Sequence, residues 1–114
     1  MRILVKRIYD EPDDSDGKRI FVERLWPRGK KKDELRIDAW EKSVAPSSEL
    51  RKWFSHDPAK WDEFKRKYWA ELGGNPKIEE LKEYARRGTL TLLFSAKDRD
   101  RNSAVALKEY LEKS

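Results

Sequence analysis

Residues 89–95, TLTLLFS, constrain this chain more than any other stretch. Side chains alternate across a strand, so Leu90, Leu92 and Phe94 face one way and Thr91 and Leu93 the other. A strand that is apolar on both sides needs cover on both sides. That is the place of a central strand in an α/β sheet, not of a half-wetted antiparallel one.

The rest of the chain has to supply that cover from little aliphatic material. Of 114 residues, 37% are hydrophobic and 43% are charged. Five Trp, four Tyr and four Phe make up the burial that the aliphatics lack, and such aromatic content sets the chain apart from disordered polyelectrolytes. One domain over residues 1–114 is the expected organisation.

Residues 3–9 read as a first strand and 19–26 (RIFVERLW) as a second, with the turn-rich DEPDDSDG loop between them. In the second strand Ile20, Val22, Arg24 and Trp26 share one face, and Phe21, Glu23 and Leu25 the other. Asp33 is placed to cap a helix running to about Val44, with Ile37, Trp40 and Val44 at helical spacing. Ser47 or Ser48 caps a short helix carrying Leu50, Trp53 and Phe54. Asp57-Pro58 and Asn75-Pro76 are cap-plus-proline helix starts, Gly73-Gly74 and Gly88 are stops, and Asn102 caps a last helix. The expected fold is therefore a small layered α/β domain, a short mixed sheet flanked by several helices. Its first two strands, joined by a short loop, are expected to pair antiparallel, and its second and third, separated by helices, to pair parallel.

Several chemistries are excluded or disfavoured. Without Cys there is no disulfide and no thiolate metal site. His56 is the only histidine, and the acidic loop lacks the Gly and distal Glu of a calcium loop. There is no P-loop or GxGxxG, so no metal or cofactor is expected. The N-terminal apolar run, Ile3-Leu4-Val5, is too short for a signal peptide or membrane span, and a cytoplasmic location follows as the expectation. The lack of Cys and Gln, the scarcity of Asn and the wealth of Lys, Arg and Glu match compositions of proteins from hot environments. The net charge of +5 favours phosphate-bearing partners, either small molecules or nucleic acid.

Three segments carry a resemblance. They are Arg24-Leu25-Trp26-Pro27-Arg28-Gly29; then Trp40-x-Lys42-x-x-Ala45-Pro46-Ser47-x-x-Leu50-Arg51-x-Trp53-Phe54-x-His56-Asp57-Pro58-x-x-Trp61; then Thr91 to Lys97 with Asn102. In this order they resemble the YeaO-like family, a domain of unknown function (488), over nearly the whole chain. The resemblance implies a compact α/β domain and no established activity, cofactor or substrate. The family pattern places Asp before the Arg of RLWPRG, where this chain has Glu23, and His before the late Asn, where this chain has Arg101.

Three constellations are candidates for chemistry. At the end of the second strand, Arg24 and Arg28 are suited to bidentate phosphate or carboxylate contacts. Trp26 is placed to stack on a base, and Glu23 is the candidate general acid or base. After the central strand, Ser95, Lys97, Arg101 and Asn102 lead into a helix N-terminus that attracts anions. The third group is Arg51 and His56, whose imidazole suits proton transfer, beside Asp57. Each has a structural alternative: ion pairing for the arginines, a plain turn for residues 27–29, capping for Asn102 and Asp57, and core packing for Trp26 and His56. The functional expectation is a domain recognising a phosphate, nucleotide or nucleic acid, which includes an enzyme acting on nucleotides or nucleic-acid bases. The competing readings are a non-catalytic nucleic-acid-binding module using residues 28–32, and a stress or interaction protein without a ligand.

Overall fold

The computed structural model describes all residues, 1–114. Four strands, β1 (Arg2–Arg7), β2 (Lys18–Phe21), β3 (Ala39–Trp40) and β4 (Thr89–Phe94), form one sheet in the order β1-β4-β2-β3. Five helices accompany them: α1 (Lys32–Leu35), α2 (Ser48–Phe54), α3 (Trp61–Leu72), α4 (Lys77–Arg87) and α5 (Ser103–Lys113). The α/β class and the central position of residues 89–94 agree with the sequence reading. Leu90, Leu92 and Leu93 have no exposed surface, and burying each contributes about 1.5–3 kcal/mol.

The sheet is parallel throughout, not mixed. β4 pairs with β1 from Arg2↔Thr89 to Arg7↔Phe94 and with β2 from Lys18↔Leu90 to Phe21↔Leu93, all parallel. The first two strands do not pair at all, because β4 lies between them. The antiparallel expectation assumed that a parallel return needs a helix. Ten extended residues, however, reach about 33 Å, well beyond the roughly 13 Å length of a four-residue strand. The loop 8–17, with only a 3-10 turn at Asp14–Asp16, therefore carries the chain back across β4 without an α-helix.

That crossover is pinned by buried polar groups. Asp16, 2% exposed, accepts from Lys6 Nζ at 3.0 Å and from Arg19 at 2.5 Å, and its main-chain carbonyl accepts the Thr91 hydroxyl at 2.6 Å. Burial opposes ionisation of Asp16, but Lys6, the Asp13 N–H and Arg19 outweigh it and hold the carboxyl below its usual range. Gly17 follows at φ +64°, and a Cβ there would stand 2.2 Å from the Thr89 carbonyl oxygen. Only glycine lets the loop pass this close to the start of β4.

The two faces of the sheet are covered differently. Leu90, Leu92 and Phe94 join Ile3, Ile20 and Val22 in one core with Phe64, Tyr68 and Leu72 of α3, Ile78 and Leu81 of α4, and Leu107 and Leu111 of α5. The buried Tyr68 hydroxyl donates to the Val44 carbonyl at 2.5 Å, and burial pushes its ionisation far above the usual range. Phe21, Leu93, Ile8 and Leu35 form a second, smaller cluster with Trp26, Ile37 and Trp40. Four of the five tryptophans carry a lysine ammonium over the ring, as with Lys42 on Trp40 at 4.1 Å and Lys113 on Trp69 at 4.6 Å. Lysine is thus the cover for aromatics that a small core cannot fully enclose.

The helix expected over 33–44 is replaced by one turn of α1, the short β3 and a 3-10 turn, Lys42–Val44. Arg36 turns left-handed (φ 48°) and ends α1. The chain then docks on β2: Arg19 N–H donates to the Asp38 carboxylate, and Asp38 and Glu41 N–H donate to the Arg19 and Phe21 carbonyls, all at 2.8 Å. Ile37 and Trp40 enter the smaller cluster while Val44 enters the larger, so the three never share a helix face. β2 also stops at Phe21, short of the predicted 26, and frees residues 23–29 from the sheet.

Candidate functional site

In a parallel sheet every strand ends on the same edge, and crevices form beyond those ends. Here the β2–β4 ladder closes with Val22 N–H donating to the Leu93 carbonyl at 3.2 Å. One residue further, a side chain replaces the main chain: the Ser95 N–H donates to Oε2 of Glu23. The Trp40 indole donates to the Glu23 carbonyl at 2.7 Å, which fixes the backbone at the point where the chain leaves the sheet. Across β4, Arg7 donates to the Ala96 and Ser95 carbonyls at 3.0 and 3.1 Å and holds the outgoing strand.

A cavity of about 100 Å³ opens at this point, lined by Glu23, Arg24, Arg51, His56, Arg101 and Asn102, with Phe54, Phe64, Pro46, Ala96 and Ser103 completing the wall. Residues from all three predicted constellations meet in it. Arg24 is oriented by donating Nε to the Pro46 carbonyl at 3.1 Å. Arg51 comes from α2, capped by the Ser47 hydroxyl, which accepts from Leu50 N–H at 3.1 Å. Past the end of α2, Ser55 and His56 both take left-handed backbone (φ 43° and 57°). His56 thereby stays exposed beside Phe54, with rings 6.2 Å apart, and Phe54 stacks on Phe64 at 4.4 Å.

The loop after β4 is organised by Asp98. Its carboxylate accepts the Asp100 and Arg101 N–H groups at 2.9 and 3.1 Å, and these bonds, the one from Asp100 foremost, hold its carboxyl below the usual range. Arg101 lies 3.4 Å from the same carboxylate. Asn102, 4% exposed, donates to the Asp98 carbonyl at 3.0 Å and accepts the Val105 N–H at 2.9 Å. Both ends of its amide are thus engaged in capping α5 and closing the loop.

The charge balance of the cavity is uneven. Three guanidinium groups and one carboxylate line it, and neither Arg24 nor Arg51 has an acid within 4.0 Å. Arg24 is half-buried and Arg51 is exposed at the rim; guanidinium groups without a carboxylate partner are geometrically defined donors for an oxyanion.

Four predicted residues lie outside this cavity. Arg28 and Lys97 are exposed on loops. Trp26 donates its indole N–H to the Lys30 carbonyl at 2.6 Å and packs edge-on against Phe21 at 5.7 Å, so it closes the 26–30 loop. Ser95 takes part through its backbone alone. The Ser47 hydroxyl meets the Glu71 carboxylate at 2.6 Å and Asp57 caps Ala59 N–H at 3.0 Å, so neither is arranged with His56 for nucleophilic chemistry. Sequence reasoning missed Arg7 and Pro46 as site residues and offered Asp98 only as an ion-pair partner for the loop's charges, which it is for Arg101. Asp98 alone left a signal, an Asp followed at two and three residues by the amides it binds.

Comparison with known proteins follows the same lines as the motifs. The family model described as "Inactive DUF488-N3 subclade" matches residues 2–114. The chain is 44% identical to the uncharacterised protein YeaO of Escherichia coli (strain K12), covering 97% of each chain. It is 38% identical to the uncharacterised proteins Rv3073c of Mycobacterium tuberculosis (strain H37Rv) and Mb3100c of Mycobacterium bovis, over 96% of this chain and 93% of theirs. No solved structure matches the chain, and no helix is long and apolar enough to cross a membrane.

Proposed function

The chain belongs to the DUF488 family of YeaO-like proteins, and from that premise we propose that its cavity binds a phosphate-bearing small molecule, a nucleotide or phosphorylated metabolite, without turning it over. One observation carries the reading: Arg24, Arg51 and Arg101 line a single cavity at the carboxyl ends of parallel strands, and two of them have no acid to neutralise them. The Phe54–Phe64 stack and Pro46 give the ligand an apolar wall. The description of the subclade as inactive favours binding over catalysis by Glu23 or His56.

A thermal-shift and calorimetry series with inorganic phosphate and nucleoside monophosphates tests this. A ligand of the native state at a hundredfold excess over its Kd stabilises by about 2.7 kcal/mol, a rise of roughly 10 °C for a domain of this size. Arg51→Ala, on the cavity rim, should melt as the wild type does but lose that rise. If none of these anions raises the melting point, the reading fails.

A second reading has its own observation: Arg28, Lys30, Lys31 and Lys32 are all exposed and none enters an ion pair. As a phosphate clamp they would bind random DNA or RNA with an affinity that falls steeply with salt. Absence of binding at low salt removes that reading.

A further inference from the structure

We infer that Glu23 makes this cavity selective for oxyanions that bring their own hydroxyl, so that it takes monohydrogen phosphate and rejects sulfate; the inference rests on the binding reading above. A carboxylate is an odd component of a site that attracts anions, and its setting tells what it does there. Glu23 is anchored twice, by the Ser95 N–H on Oε2 and by the Trp40 indole on its main-chain carbonyl at 2.7 Å. Its second oxygen, Oε1, receives no hydrogen bond from the protein, and no Lys or Arg stands within 4.0 Å of the carboxylate. The side chain lines the cavity, and Oε1 is not among the buried polar atoms left without a partner. It is therefore an accessible, unpartnered acceptor on a residue that lines the cavity together with the three arginines.

In a cavity of about 100 Å³ an oxyanion held by Arg24, Arg51 and Arg101 shares the wall with this acceptor. A carboxylate has no hydrogen to give, so a fully deprotonated anion sets lone pair against lone pair. An anion that keeps one proton instead makes a short, charge-assisted O–H···O⁻ bond there. Sulfate and monohydrogen phosphate share tetrahedral shape and a double negative charge and differ in that proton, so the pair isolates the contribution of Glu23.

The test is isothermal calorimetry with inorganic phosphate and with sulfate, at a pH where phosphate is the monohydrogen dianion. The full chain is used, as wild type and as Glu23→Gln. The wild type should prefer phosphate by about tenfold to a hundredfold, the size of one charged hydrogen bond gained or forfeited. Glu23→Gln keeps an acceptor for the Ser95 N–H and offers sulfate an N–H, so the preference should shrink, mainly through tighter sulfate binding. Equal wild-type affinities for the two anions would overturn this inference and leave the binding reading intact. Binding of neither anion would overturn this inference, and the binding reading falls with it if nucleoside monophosphates also fail to bind. A variant that retains the wild-type preference would place the discrimination elsewhere and also refute the role of Glu23. If the variant does not fold, the wild-type ratio decides alone.

Discussion

Replacing Asp16 with Asn should destabilise this protein far more than any surface charge change. The Asp16 carboxylate is 2% exposed and receives Lys6 at 3.0 Å, Arg19 at 2.5 Å and the Asp13 N–H at 3.1 Å. Asn is nearly isosteric but removes the negative charge, leaving the Arg19 guanidinium, 6% exposed, without a counter-ion. Breaking one side of a buried pair costs about 3–5 kcal/mol. Arg19 keeps its bonds to the Arg36 and Leu35 carbonyls at 2.9 and 3.3 Å, which places the expected loss near the lower end, about 3 kcal/mol. With a urea m-value of roughly 2 kcal/mol/M for a domain of this size, the midpoint should fall by about 1.5 M. The acid limb gives a second readout. Asp16 is held below its ordinary range in the folded state, so its contribution is present above the unfolded value near pH 4 and is lost as pH falls through the folded one. The wild type should lose stability below about pH 4, and Asp16→Asn should lose less over the same window. A urea-derived loss under about 1 kcal/mol, the scale of an exposed pair, would refute the claim that this triad anchors the crossover.

Two further outcomes follow from the same geometry. Gly17→Ala combines positive φ with a clash 2.2 Å from the Thr89 oxygen and should cost about 3 kcal/mol or more. Gly74→Ala, at φ +79° with open space around it, should cost only about 1–2 kcal/mol; equal losses in urea unfolding would mean the close crossover is not what selects Gly17. Asp10, paired with Arg99 at 2.8 Å, has its pKa lowered to about 2, chiefly by that hydrogen bond. In Arg99→Ala, NMR titration should find the Asp10 pKa raised toward the ordinary value while the Arg7 N–H bond at 2.9 Å holds it partly down; an unchanged value would count against the pairing.

The parts of this fold that follow from local chemistry were legible in the chain. Asp57-Pro58, Asn75-Pro76 and Asn102 start helices because a side-chain acceptor meets an orphan N–H, and each does so at 2.9–3.0 Å. The stretch 33–44 misled because Ile37, Trp40 and Val44 satisfy helical spacing. Their destinations in two separate clusters depend on β2 offering an open edge for β3. The cavity was legible in part: Glu23, Arg24, Arg51, His56, Arg101 and Asn102 came from motifs in three segments, whereas Arg28 and Trp26 were drawn in because the predicted second strand ran too far, and Lys97 because it follows the central strand, where its side chain is exposed on the loop.

Taken alone, the sequence determined what periodicity and capping can specify: the doubly apolar strand at 89–94, three long helices with their ends, and the α/β class those imply. Only the tertiary structure decided which strands are neighbours and what meets at their carboxyl ends. Strand order depends on how a ten-residue loop crosses β4, and that turns on one buried carboxylate and one glycine, neither of which has a periodic signature. The meeting of Glu23 with Ser95, and of Arg51 with Arg24 and Arg101, joins segments far apart in the chain. Such contacts arise from packing, where long-range geometry, not local propensity, selects the partners.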